Sequence, residues 1–178
     1  MIAASTLGVE RFGTKTGKLF GAYQYTSALQ PQIAGVPAIV PLAWFAMALP
    51  ARETAVALRP AWRIPLGAAL LTAWDLFLDP QMVGEGYWKW ARKGLYRGIP
   101  VSNYLGWLVT SLGVMAALEA TLPPGEADRA LVGEYSWMAV MQTLGFAAFF
   151  NDPVVAVVGG SAMLPPALGA LRKVLRRG

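Results

Sequence analysis

The stretch LLTAWDLFLDPQMV (residues 70–83) decides how this chain is read. It has the composition of a buried helix, yet Asp75 and Asp79 stand inside it. A carboxylate at the centre of a bilayer costs on the order of 3 kcal/mol. The two are spaced i and i+4, which places them on one helix face. Asp79 precedes Pro80, and a residue before proline is disfavoured in helical conformation, so the helix is predicted to end there. The negative end of its dipole would then further disfavour the Asp79 anion.

Outward from this stretch the chain stays apolar. Of its 178 residues 56% are hydrophobic and 14% charged, and the mean hydropathy is +0.45. Soluble domains usually carry about 25% charged residues. Residues 19–51, 98–118, 135–151 and 153–171 are free of charge, and 64–78 is interrupted only by Asp75. A helix needs about 20 apolar residues to cross a bilayer. The pattern predicts an all-α fold. It is a polytopic membrane bundle of about five spans, near 33–50, 63–79, 100–121, 135–151 and 153–171, forming one domain over 1–178. Pro37, Pro41, Pro165 and Pro166 are predicted to mark kinks or breaks. A soluble helical bundle is the alternative.

The composition also excludes chemistry. With no cysteine and no histidine, the chain builds no thiol nucleophile, zinc thiolate, histidine-box di-iron centre or Ser-His-Asp triad. Acid–base work by Asp, Glu and Tyr remains. The N-terminus lacks a basic region ahead of a clean apolar run, so no secretory signal is read. The net charge of +5 resides at segment ends, in Arg52, Arg59 and Arg63, in Lys89, Arg92, Lys93 and Arg97, and in Arg172, Lys173, Arg176 and Arg177. That placement suits anionic lipid headgroups rather than nucleic acid. Lys and Arg divide almost evenly between the two sides, so orientation stays open. The connection PQMVGEGYWKWARKGLYRGIP (80–100) interleaves Tyr87, Trp88, Trp90 and Tyr96 with basic residues. It reads as an interfacial belt, as a lid over an apolar substrate, or as both. The loop TLPPGEADRALVGE (121–134) is expected to carry no function.

A weak internal repeat appears at an offset of about 65 residues. GAYQY (21–25) matches GYWKW (86–90), and GVPAIVPLAW (35–44) matches GIPVSNYLGW (98–107) in Gly, Pro, Leu and Trp. The short aromatic pattern also fits GEYSW (133–137), so chance competes with duplication. A duplication would make two parallel halves, pair Glu10 with Asp75 and place a site at their junction. The N-terminal ten residues, about 15 Å as helix, would be a half-helix or the stump of a longer one.

The segments GKLFGAYQYT, GVPAIVPLAWFAM, TAWDLFLDPQMV, GYWKW and GIPVSNYLGW resemble the integral-membrane carotenoid 1,2-hydratases within the broader carotenoid biosynthesis protein family. The resemblance is strong over about residues 8–110. Members of that family usually carry further hydrophobic helices ahead of the Glu10 region. The resemblance implies addition of water across the terminal double bond of an acyclic carotenoid end, such as that of lycopene or γ-carotene. It implies a multi-pass protein of the cell membrane whose partners are carotenoid and membrane lipid, and it implies no cofactor.

That reaction needs an acid still protonated near neutral pH. Burial raises a carboxyl pKa, and two neighbouring carboxyls resist double ionisation. Asp75, Asp79 and Glu10 are therefore the candidate catalytic residues. Tyr23, Tyr25, Trp74, Tyr87, Trp88, Trp90 and Asn103 are the candidate substrate-binding residues, with tryptophan faces able to shield a cation. Structural alternatives stand beside each: an ion pair of Asp75 with Arg11 or Arg97, an interfacial role for Glu10, a helix cap at Asn103. A non-catalytic carotenoid- or isoprenoid-binding protein is the alternative function. Oligomeric state is not legible.

Overall fold

The computed structural model describes residues 2–122 and 125–176; Arg177 of the basic tail and Pro123 and Pro124 of the 121–134 loop lie outside them. Within them the chain is mostly helical. The six helices are α1 (Ile2–Thr16), α2 (Ile39–Leu58), α3 (Arg63–Gly84), α4 (Val101–Thr121), α5 (Arg129–Leu144) and α6 (Pro153–Arg176). Two antiparallel ribbons interrupt them: β1 (Tyr23–Tyr25) pairs with β4 (Trp88–Trp90), and β2 (Gln32–Ile33) with β3 (Val36–Pro37). Helix α3 packs between α2 and α4, α5 and α6 pack on each other and on α2, and α1 lies against α2. Trp44, Phe77, Met115, Tyr135 and Met163 fill the core.

Helices α4 and α6 are long and apolar enough to cross a membrane. Both expose large apolar side chains outward, Leu105 and Val109 on α4 and Val157 and Leu168 on α6. Helices α2 and α3 are of similar length but carry Arg52, Glu53, Asp75 and Asp79, all buried.

Three expectations from the sequence need correction. First, α3 does not end at Asp79 but runs on through Pro80 to Gly84. Proline lacks the N–H that would reach the carbonyl four residues back, which here is that of Leu76. The Tyr96 hydroxyl, arriving from the 85–100 connection, donates to the Leu76 oxygen at 2.9 Å. The orphaned carbonyl thus gains an outside partner, and Asp79 sits within the helix rather than at its negative end. Second, α2 continues past Pro50 to Leu58, and Arg52 does not reach for headgroups. It is 6% exposed and donates to Glu53 and, at 2.7 Å, to Glu119 of α4, which also accepts from Arg63. Glu53 in turn accepts the Asp128 N–H at 2.9 Å, while the Asp128 carboxylate caps α5. This ionic cluster ties α2, α3, α4 and α5 together near the ends of α2 and α4. Third, the prolines mark fewer breaks than expected. Pro37 lies in β3 and Pro41 in the first turn of α2, where a missing N–H is tolerated; Pro165 and Pro166 lie inside an unbroken α6.

One close approach positions the site. Gly106 of α4 lies under the Leu19–Phe20 backbone, and a Cβ there would come 2.6 Å from the Leu19 carbonyl oxygen. Leu19 adopts a positive φ of 71° to make the turn. Replacing Gly106→Ala should therefore push this turn off α4, at an overpacking cost of about 1–3 kcal/mol, read as a lower unfolding temperature in detergent. Tyr96→Phe leaves the Leu76 carbonyl without its donor. It should destabilise the protein by about 1 kcal/mol in the same measurement, with an unchanged melting temperature contradicting the role given to Pro80 and Tyr96.

Candidate functional site

Strand geometry builds the wall of the site. Side chains two apart in a strand share one face, so Tyr23 and Tyr25 of β1 project together, as do Trp88 and Trp90 of β4. Tyr23 stands opposite Trp90 and Tyr25 opposite Trp88, with Gln24 facing Lys89 between them. The Tyr25 and Trp88 rings meet edge to face at 5.6 Å, and Tyr23 lies 4.9 Å from Trp90. Behind this aromatic ribbon is a cavity of about 180 Å³, closed further by Phe20, Trp44 and Trp107. Its polar groups include Glu10, Asp79 and Asn103.

Glu10 enters from α1 and is 4% exposed. Its Oε2 accepts from the hydroxyls of Tyr23 and, at 2.8 Å, of Tyr25, and its Oε1 accepts from the Trp44 indole at 2.9 Å. An indole N–H can only donate. Burial raises the Glu10 pKa, and the three donors around its carboxyl work against that by favouring the carboxylate. Burial, with the Glu10 charge next in importance, pushes both phenols upward, so they remain donors.

Asp75 and Asp79 enter from α3, 0% and 3% exposed. The Asn103 amide nitrogen of α4 donates to Oδ2 of both, at 2.8 Å for Asp75. One amide thus spends its two hydrogens on two carboxyls and holds them together. Asp79 Oδ1 also accepts from the Trp88 indole at 3.2 Å. Asp79 lines the cavity, whereas Asp75 stands behind it and does not. Among the described residues no three ligating groups converge as a metal site.

Most residues singled out in the sequence gather here: Glu10, Tyr23, Tyr25, Asp79, Trp88, Trp90 and Asn103 border one cavity. Two do not. Trp74 is buried edge-on against Trp107 at 6.1 Å, and Tyr87 is half-buried, tied by its backbone to Thr26 and Met82. The structural alternatives for Asp75 and Asn103 fail on geometry. Arg11 donates to the Ala34 carbonyl and Arg97 pairs with Asp152 at 2.5 Å, so neither serves Asp75. Asn103 is not a cap: α4 begins two residues earlier and its amide turns into the core. Trp44 and Trp107 were missed. Their rings stack at 3.8 Å with an interplanar angle of 14°. Their signal was present, since they close the two matched segments 35–44 and 98–107.

A curated relative, the bisanhydrobacterioruberin hydratase of Haloarcula japonica, is 33% identical over 110 residues. The match covers 58% of this chain and 37% of the relative's length. No solved structure matches the chain. The family model described as carotenoid biosynthesis protein matches residues 1–175. The chain belongs to the carotenoid biosynthesis protein family.

Proposed function

We propose that this protein hydrates the terminal 1,2 double bond of an acyclic carotenoid end group, without a cofactor, as a multi-pass membrane enzyme. The observation that carries the reading is the buried Asp75–Asp79 pair, clamped by Asn103 and presented by Asp79 to an apolar, aromatic cavity. A trisubstituted alkene is a poor base, so hydration begins with proton transfer to its less substituted carbon. The pair holds one proton between its two carboxyls, and Asp79 delivers it from the cavity side. The tertiary cation that forms faces the rings of Trp44, Trp107 and Trp88 and the Glu10 carboxylate. Water adds to the cation, and the proton it loses returns to the pair. The cavity of about 180 Å³ holds one end of a polyene and leaves the rest of the chain to the lipid. The hydratase named for the Haloarcula japonica relative supports the reaction class.

The duplication belongs to the same reading. Ala34–Gly35 and Arg97–Gly98 both adopt positive φ, as do Gly21 and Gly86. The matched strands β1 and β4 pair antiparallel about Gln24 and Lys89, and the matched Trp44 and Trp107 stack on each other. Two parallel halves related by a twofold axis would produce these pairings. The cavity would then lie at their junction, with Glu10 from one half and Asp75 from the other.

The test is conversion of lycopene by the full chain in membranes, followed by mass analysis. A gain of one water is expected; retention of pigment with no gain would overturn hydration in favour of a carotenoid carrier. Asp75→Asn and Asp79→Asn should each bind pigment yet lose about 10²–10⁴-fold in turnover, the usual worth of a positioned general acid. Turnover near wild type in either would remove that carboxyl from the chemistry. Glu10→Gln keeps the shape but removes the anion. It should cost about 10–100-fold in kcat with KM little changed, and a change confined to KM would make Glu10 a binding group only.

A further inference from the structure

Once the carboxyl pair gives up its proton, both members are anions, and each oxygen then needs a donor. Asp79 is provided for at both oxygens, by Trp88 and Asn103. Asp75 is provided for only at Oδ2, by Asn103. Its Oδ1 is fully buried and, among the described residues, receives no hydrogen bond from a backbone or side-chain N–H or hydroxyl. The Tyr104 hydroxyl, one residue along α4 from Asn103, is equally enclosed and has no partner among the described residues. Buried hydroxyls and carboxyl oxygens seldom stay unpaired, and each would cost about 1–3 kcal/mol if they did. The Tyr104 ring lies against that of Tyr96 at 6.1 Å, and the Tyr96 hydroxyl donates to the carbonyl of Leu76, the residue after Asp75. Neither Tyr104 nor Asp75 lines the cavity, so the two groups stand apart from its wall.

We propose that Tyr104 and Asp75 Oδ1 hold a bridging water at the carboxyl pair, and that this water makes Tyr104 a positioning residue for proton release. The proposal rests on the hydratase reading for its role in turnover, but the water itself does not. Buried water commonly joins two or three otherwise unpaired polar groups in this way. As the proton leaves for the alkene, negative charge grows on Asp75. The water, oriented by Tyr104, donates to Oδ1 and stabilises that charge. No bond to substrate is made by this water, and the proton returns to the pair from the cavity when the captured water loses it.

Tyr104→Phe removes the hydroxyl and keeps the ring, and it separates the two parts of the claim. The first readout needs no turnover. The infrared band of the Asp75 carboxyl, identified as the one lost in Asp75→Asn, should shift in Tyr104→Phe and should not shift in Tyr135→Phe, whose hydroxyl serves the Leu70 carbonyl instead. An unshifted band in Tyr104→Phe would overturn the bridging water even if the protein hydrates nothing. The second readout is the split between kcat and KM on lycopene. A fall in kcat of about 10–100-fold with unchanged KM is expected, less than the ~10²–10³ for loss of a direct donor to a developing anion. A kcat within about twofold of wild type, or a change in KM alone, would overturn the positioning role. Absence of hydration by the wild-type chain would instead overturn the reading of the reaction, leaving the infrared result to decide the water.

Discussion

The structure turns on one amide holding two buried acids. Asn103 gives one hydrogen to Asp75 and one to Asp79, and neither acid has a basic partner among the described residues. Two isolated carboxylates at this depth would be costly. Sharing one proton lowers that cost, because a carboxylic acid facing a carboxylate carries a single charge for two groups. The rest of the site follows. Asp79 must remain in the helix to face the cavity, so α3 must pass through Pro80, so the Leu76 carbonyl needs Tyr96. Trp88 reaches Asp79 only because β4 is pinned to β1, and β1 carries the tyrosines that hold Glu10.

Two kinds of buried charge occur in the molecule, and they are handled differently. Near the ends of α2 and α4, Arg52 and Arg63 neutralise Glu53 and Glu119 as fixed pairs. Such pairs specify geometry more than they add stability. At the cavity the acids receive hydrogen bonds from indole, phenol and amide groups and, among the described residues, no ion pair. Neutral donors support a carboxyl without fixing its protonation, which a guanidinium would do. A proton that must leave and return needs the second kind of surrounding.

Much of this was legible in the chain. The i,i+4 spacing placed Asp75 and Asp79 on one face, and the matched GAYQY and GYWKW segments marked the aromatic residues, though not the strand pairing that aligns them. Asn103 was readable as a polar residue at the mouth of an apolar helix. What escaped depended on partners far away in sequence. Pro80 looked like a helix end because its remedy, Tyr96, lies sixteen residues on, in a connection with its own aromatic pattern. Arg52 looked like an interfacial charge because Glu119 belongs to a different helix. Trp44 reaches Glu10 across thirty-four positions. Local propensity carries no information on such pairings, and only the matched tryptophans of the two segments hinted at it.

The central claim is that a buried carboxyl pair protonates an alkene and water then captures the cation. It is tested most directly by turning over lycopene in water labelled with deuterium and oxygen-18 and locating both labels in the product. The account predicts one solvent deuteron on the carbon next to the new carbinol and oxygen from water on the tertiary carbon. Oxygen drawn from dissolved gas, or a product whose adjacent carbon carries no solvent deuteron, would contradict it.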